Sequence, residues 1–286
     1  PYLIQGVNDW QKAFEKAGFK NAIYAKVPNA KEDPEWSLED ARFSAIVYKP
    51  SDVPNASGPS IADPRTGEIL ESHINWYHNV MKLLNDWYFV QASPNDPRAR
   101  KVDFDDELMG QLIRFVSSHE VGHTLGLNHN MKASQLFSPK ELADKNVIEG
   151  KALSGSVMDY LAINLSPDKS TQGHYFSTTV GPYDVWAIQA GYTPVKTQAE
   201  LDAILALSTR PELTFGNDAD DMRAPGKAID PRVMVGDLSN DQIGYSIHMM
   251  ETSKKLMGGI KEKYSKEGQS YQELTQAYSV LMGTYT

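Results

Sequence analysis

The sequence predicts an α+β chain, and three observations carry that reading. Stretches with apolar residues at helical spacing recur along its length, at 7–16, 74–90, 105–125 and 182–191. Short β-branched and aromatic runs bounded by turn residues lie near the N-terminus, at 22–27 and 43–48. The composition is globular, 41% hydrophobic and 23% charged over 286 residues, enough for one large domain or two modest ones.

Val7 to Lys16 carry Val7, Trp10, Ala13 and Phe14 on one helical face, and Gly18 ends the pattern. Ala22 to Val27 and Phe43 to Tyr48 read as strands of a buried sheet. Pro54 to Ser60 read as a loop. Ser60-Ile61-Ala62 and Glu68-Ile69-Leu70 flank Asp63-Pro64-Arg65-Thr66-Gly67, a hairpin turn. Ile74 to Val90 read as a second long helix through Ile74, Tyr77, Met81, Leu84 and Tyr88. His73 and His78 are five apart and share no helix face, so neither is read as a ligand. Ser93 to Arg98 form a loop with two prolines.

The next helix opens on negative charge at Asp103, Asp105, Asp106 and Glu107, where a helix N-terminus favours it. Leu108, Leu112, Phe115 and Val116 give it an apolar stripe that His119 and His123 continue. Its end reads His119-Glu120-Val121-Gly122-His123-Thr124-Leu125-Gly126-Leu127-Asn128-His129. Histidines four apart lie one turn from each other on the same face, so both imidazoles can reach one ion. Gly126 is free to adopt a left-handed conformation and turn the chain. His129 can then return as a third ligand. Three protein nitrogens leave a fourth position open, the layout of a catalytic zinc rather than a structural one. Glu120 stands beside the first histidine as a general base for water. Chance produces the full spacing in about one chain in several tens of thousands.

These residues resemble the metzincin zinc signature, H-E-x-x-H-x-x-G-x-x-H. Metzincins also carry a methionine turn beneath the metal, and Ser156-Val157-Met158-Asp159-Tyr160 is similar to that turn. The Ser-x-Met-x-Tyr form is most like the astacin and serralysin type, and the two runs together are similar to large zinc metalloproteases of gut and environmental bacteria. The resemblance covers roughly residues 105 to 192. It implies a metzincin-like zincin: a twisted mixed sheet with the active-site helix above a mainly helical lower subdomain. It implies zinc on His119, His123 and His129, a general base and acid in Glu120, and Met158 as packing beneath the metal. By the same likeness Tyr160 reaches the metal region, either as a ligand or as a donor to an oxyanion. A sheet edge near residues 60–70 would stand over the cleft, where an extended peptide can pair with it.

Beyond the motif, Ser138 to Asp144 read as a short helix in a polar segment. Pro182 to Gly191 have a proline start, Asp184 in the first turn and a glycine end, and resemble the helix that closes the lower subdomain. His174 is isolated in a polar stretch and reads as a solvated or rim residue. Thr197 to Ser208, Asp241 to Lys263 and Gln272 to Thr284 read as helices, the last two covering the core or docking a further domain. Asn217, Asp218, Asp220 and Asp221, followed by Asp230 and Asp237, offer oxygen ligands of the kind calcium takes, without EF-hand order. Asn55-Ala56-Ser57 and Asn164-Leu165-Ser166 fit the glycosylation pattern, which is common by chance.

The expected division is an upper catalytic subdomain over 1–129, a lower one over 130–195 and a helical extension over 196–286. A net charge of −9 argues against a nucleic-acid partner held by phosphate contacts. No apolar run approaches a membrane span. There are no cysteines, so no disulfide holds the fold. An extracytoplasmic setting (secreted, periplasmic or cell-surface) is expected, in a bacterial protein with further domains beyond this chain. The expected function is a zinc-dependent endopeptidase acting on protein or peptide substrates. Two alternatives stay open: a catalytically silent peptide- or glycan-binding module, and a zinc hydrolase of non-peptide amides.

Overall fold

The computed structural model describes residues 1–101, 103–221, 230–265, 267–268 and 270–285. Its architecture is α+β, a small mixed sheet among many helices. The first predicted helix is two: α1 (Tyr2–Asn8) and α2 (Gln11–Lys16). The chain bends at Asp9–Trp10, where Trp10 is fully buried and its indole N–H donates to the Ser118 carbonyl at 3.0 Å. Gly18, at φ +99°, ends α2 as expected.

Residues 22–27 form no strand. Their alternation is real, with Ile23 and Ala25 packed on the core while Tyr24 and Val27 face solvent. No neighbouring strand pairs with them, and the Gln11 side-chain amide donates to the Ile23 carbonyl instead. The second expected strand exists as β1 (Ala45–Lys49). β2 (Ala56–Ser57) is a short strand in the expected loop, and β3 (Ser60–Ala62) begins the hairpin. The Asp63–Gly67 turn forms as read, with the Gly67 N–H on the Asp63 carbonyl at 2.8 Å.

The long partner, β4 (Ile69–Tyr77), corrects the reading of residues 74–77 as helix. It runs parallel to β1 in register Ala45↔His73 through Lys49↔Tyr77 and antiparallel to β2 and β3 on its other side. Ile74 and Trp76 point inward between half-buried neighbours, the two-residue period of a strand. The helix begins only after Asn79, as α3 (Val80–Ala92).

The helix that carries His119 and His123, α4 (Asp106–Thr124), starts where the acidic run placed it. The Asp105 carboxylate caps it by accepting the Leu108 N–H at 2.9 Å. Leu108 and Leu112 pack against Leu84 and Tyr88 of α3, and Trp87 stacks on Phe115. A second core lies under the C-terminal half of α4. There Trp10, Phe14, Val121, Val157, Met158 and Ile188 bring α2, α4 and the methionine turn together. Short helices α5 (Pro139–Leu142) and α6 (Lys145–Ile148) follow, and Ser138 with Glu141 forms a capping box on α5. Next come α7 (Pro182–Tyr192) and α8 (Gln198–Leu205). The long C-terminal helix is broken at Gly258–Gly259 into α9 (Gln242–Met257) and α10 (Ile260–Tyr264), and α11 (Gln272–Tyr285) ends the chain. Ile260, Tyr264, Ala277 and Leu281 pack on Phe89 and Val90 of α3, so these helices cover the core. Among the described residues no helix is long and apolar enough to cross a membrane.

Candidate metal centre and active site

His119 and His123 are on adjacent turns of α4. Leu125 is the helix C-cap and Gly126 follows at φ +91°, the left-handed position expected of it. The turn returns His129 to the other two. One ring nitrogen from each histidine lies within 4.8 Å of the others. His123 Nε2 stands 3.1 Å from His129 Nε2. His119 is buried, and among the described residues its Nε2 has no hydrogen-bond partner.

The opposite nitrogens explain why these atoms converge. His119 Nδ1 lies 2.7 Å from the Val157 carbonyl and His123 Nδ1 2.9 Å from the Leu127 carbonyl. A carbonyl only accepts, so in each neutral ring the proton sits on Nδ1 and the lone pair on Nε2. His129 Nδ1 faces the Asp218 carboxylate, at 2.9 and 3.1 Å, which imposes the same tautomer. Three lone pairs then face one point. An orphaned buried nitrogen and two lone pairs in contact are unfavourable without a shared cation, and imidazole nitrogens suit zinc. The donor set fits such an ion. Burial, with the neighbouring imidazoles, pushes the His119 ring down to about 3, so it stays neutral.

Glu120 is buried beside this point, and burial alone pushes its carboxyl up to about 7. Among the described residues no donor reaches that carboxyl. Gly58, just past β2, lies against the Glu120 carbonyl so closely that a Cβ there would strike it. That approach sets the β2–β3 edge of the sheet beside the site. Tyr160 also joins it: its ring centroid lies 5.2 Å from that of His119 and 4.7 Å from that of His129. Tyr160 is 46% exposed, and burial of its inner part with the nearby Glu120 and Asp218 charges raises its phenol to about 12.

Met158 is fully buried under α4, its sulfur packed against Gly122 between the two helix histidines. Ser156-Val157-Met158 is held by Asp184, a role that reading Asp184 as first-turn charge missed. Asp184 accepts the Ser156 O–H at 2.5 Å, the Val157 N–H at 2.9 Å and the Gly181 N–H at 2.7 Å. The helix α7 is thus tied to the turn whose Val157 carbonyl orients His119.

His73 and His78 stay outside the cluster, His73 on Glu71 at 2.9 Å and His78 on the Tyr48 hydroxyl at 2.6 Å. His174 is half-exposed near Glu149. Asn164 is buried with its amide on the Leu142 and His174 carbonyls, so it is no glycan acceptor. Four of the acidic residues expected to offer calcium ligands have separate partners. Asp218 serves His129, Asp220 accepts the Asn217 N–H, and Asp230 pairs with Lys132 and Arg232. Asp237 accepts the Ser134 hydroxyl. Among the described residues only the three histidines form a metal-binding group; residues 222–229 lie outside that description.

Comparison with known proteins places this geometry. No curated protein and no solved structure matches the chain. A family profile described as Met-zincin matches residues 101–286, more than half of the chain and the whole of the histidine cluster and methionine turn. The signature, the turn beneath it and this match agree, and the chain belongs to the Met-zincin family.

Proposed function

We propose that the chain is a zinc-dependent endopeptidase in which His119, His123 and His129 hold the metal. The carrying observation is the state of the carboxyls around the cluster. Asp184 is saturated with donors and Asp218 is engaged by His129. Glu120 alone of these three has no donor among the described residues and borders the converging nitrogens. A zinc ion held by His119, His123 and His129 would supply Lewis acidity and would acidify water toward pKa ~7.

Glu120 accepts the proton of the attacking water and delivers it to the leaving amine. Tyr160, beside two of the ligands, donates its O–H to the developing oxyanion. The β2–β3 edge offers backbone groups along which an extended peptide can lie.

The test is cleavage of a diverse peptide library by the zinc-loaded protein, read by mass spectrometry beside Glu120→Ala. Cuts should fall by about 10²–10⁴-fold in the variant with zinc content unchanged. Equal cutting by the variant would refute the role of Glu120. Stoichiometric zinc without any cut by the wild type would favour the silent binding module, and hydrolysis of non-peptide amides alone would favour the other alternative.

A further inference from the structure

The third histidine is held differently from the other two. His119 and His123 are fixed by α4 and lean on neutral backbone carbonyls. His129 lies beyond the helix, on a segment with no regular structure, and leans on a carboxylate 89 residues away in sequence.

The two segments are stitched together next to that contact. The buried Asn130 side chain donates to the Thr214 carbonyl at 2.9 Å and accepts the Gly216 N–H at 3.1 Å. Met131 donates its N–H to the Gly216 carbonyl at 2.7 Å, and its own carbonyl accepts from Met234 at 3.2 Å. Val233 presses on Gly216 where a Cβ would stand, so the approach requires glycine. His129 and Asp218 are each one or two residues from this clamp.

Asp218 itself is largely exposed, its side chain at 62%. A solvent-facing contact of this kind adds little to folding stability. Its value lies in the ring it touches. Imidazole ligands bring no charge to set against a divalent ion, whereas the Asp218 carboxylate, 2.9 Å from His129 Nδ1, places one beside the third ring. Carboxylates behind ligating histidines fix the tautomer and raise the basicity of the ligand.

We infer that Asp218, delivered by the Asn130 clamp, is a positioning residue that orients and charges the third metal ligand. The last third of the chain thereby completes the metal centre. This inference rests on the zinc reading above.

The test measures zinc affinity by competition with a chromophoric chelator, using the full chain and the variants Asp218→Ala, Asp218→Asn and Asp218→Glu. Asp220→Asn removes a charge from the same loop without touching His129. Asp218→Ala should weaken zinc by about 10–100-fold, the range for removing such a partner. Asp218→Asn, which keeps an acceptor and loses the charge, should fall between Ala and wild type. Asp218→Glu should recover most of the affinity, and Asp220→Asn should stay within about twofold of wild type. The d–d spectrum of the cobalt-substituted protein should shift in Asp218→Ala and not in Asp220→Asn. A zinc-binding wild type with unchanged affinity in Asp218→Ala would overturn this inference alone. A wild type that takes up no zinc would overturn the metal-centre reading and this inference with it.

Discussion

Gly122→Ala is the sharpest probe of how the methionine turn supports the helix of the histidine cluster. The residue sits in the middle of α4, where alanine is favoured over glycine by about 1 kcal/mol. Helix propensity alone therefore predicts a gain. The structure predicts a loss. A Cβ on Gly122 would fall well inside the contact distance of Met158 Sδ and 3.0 Å from Trp10 Cζ2, where ordinary contact starts at 3.4 Å. Met158 and Trp10 are fully buried in one core, so neither has solvent to retreat into. Overpacking of this kind costs about 1–3 kcal/mol. The net expectation is a loss of up to about 2 kcal/mol, or a Tm lower by roughly 2–4 °C for each kcal/mol.

The double-mutant cycle with Met158→Ala makes the cause specific. Met158→Ala alone should cost about 2–5 kcal/mol, since it empties a fully buried site. In the Gly122→Ala background it should cost about 1–3 kcal/mol less, because the strain is already relieved. Urea unfolding of the four proteins reads both numbers. A Gly122→Ala protein more stable than wild type, or a cycle additive within about 0.5 kcal/mol, would refute the packing argument.

Two further outcomes follow from buried carboxylates. Asp184→Ala orphans three buried donors on Ser156, Val157 and Gly181 and should cost about 3–5 kcal/mol in denaturant unfolding; a loss under about 1 kcal/mol would show that the turn stands without it. Asp159 and Asp237 converge on Ser134, Asp159 accepting its N–H at 2.8 Å and Asp237 its O–H at 3.0 Å, and among the described residues each leaves its other oxygen buried without a hydrogen-bond partner. Burial pushes Asp237 up to about 6, and burial with the Asp237 charge raises Asp159 well above the usual carboxylate range. A folded pKa above the unfolded one means that the native state binds more protons, so stability falls as pH rises from about 4 through about 6. Asp159→Asn keeps an acceptor for Ser134 and turns an amide toward Asp237. It should gain on the order of 1–3 kcal/mol at pH 8 and much less at pH 4. A variant less stable than wild type at pH 8 would contradict this account.

The parts of the fold that the sequence misplaced are those where two local patterns coexist. Ile74, Tyr77 and Met81 fit a helix, yet Ile74 and Trp76 also alternate with His73, Asn75 and Tyr77. Pairing with β1 decides for the strand, and no local signal announces that pairing. Residues 22–27 show the converse, strand-like alternation with no partner to make it a strand. The histidine cluster was readable because it is local: helical period places His119 beside His123, and one left-handed glycine returns His129. What orients them is remote. Val157 is 38 residues from His119 and Asp218 is 89 from His129, while Asp184 holds the Ser156 turn from 28 residues away. Which histidines meet is thus a property of eleven consecutive residues, and how their rings are turned a property of the folded chain. A relative could keep the whole histidine signature, lose Asp184 or the Asn130 clamp, and bind its metal poorly. Such a chain would be indistinguishable from this one by the signature alone, and only measurements on the remote partners separate the two.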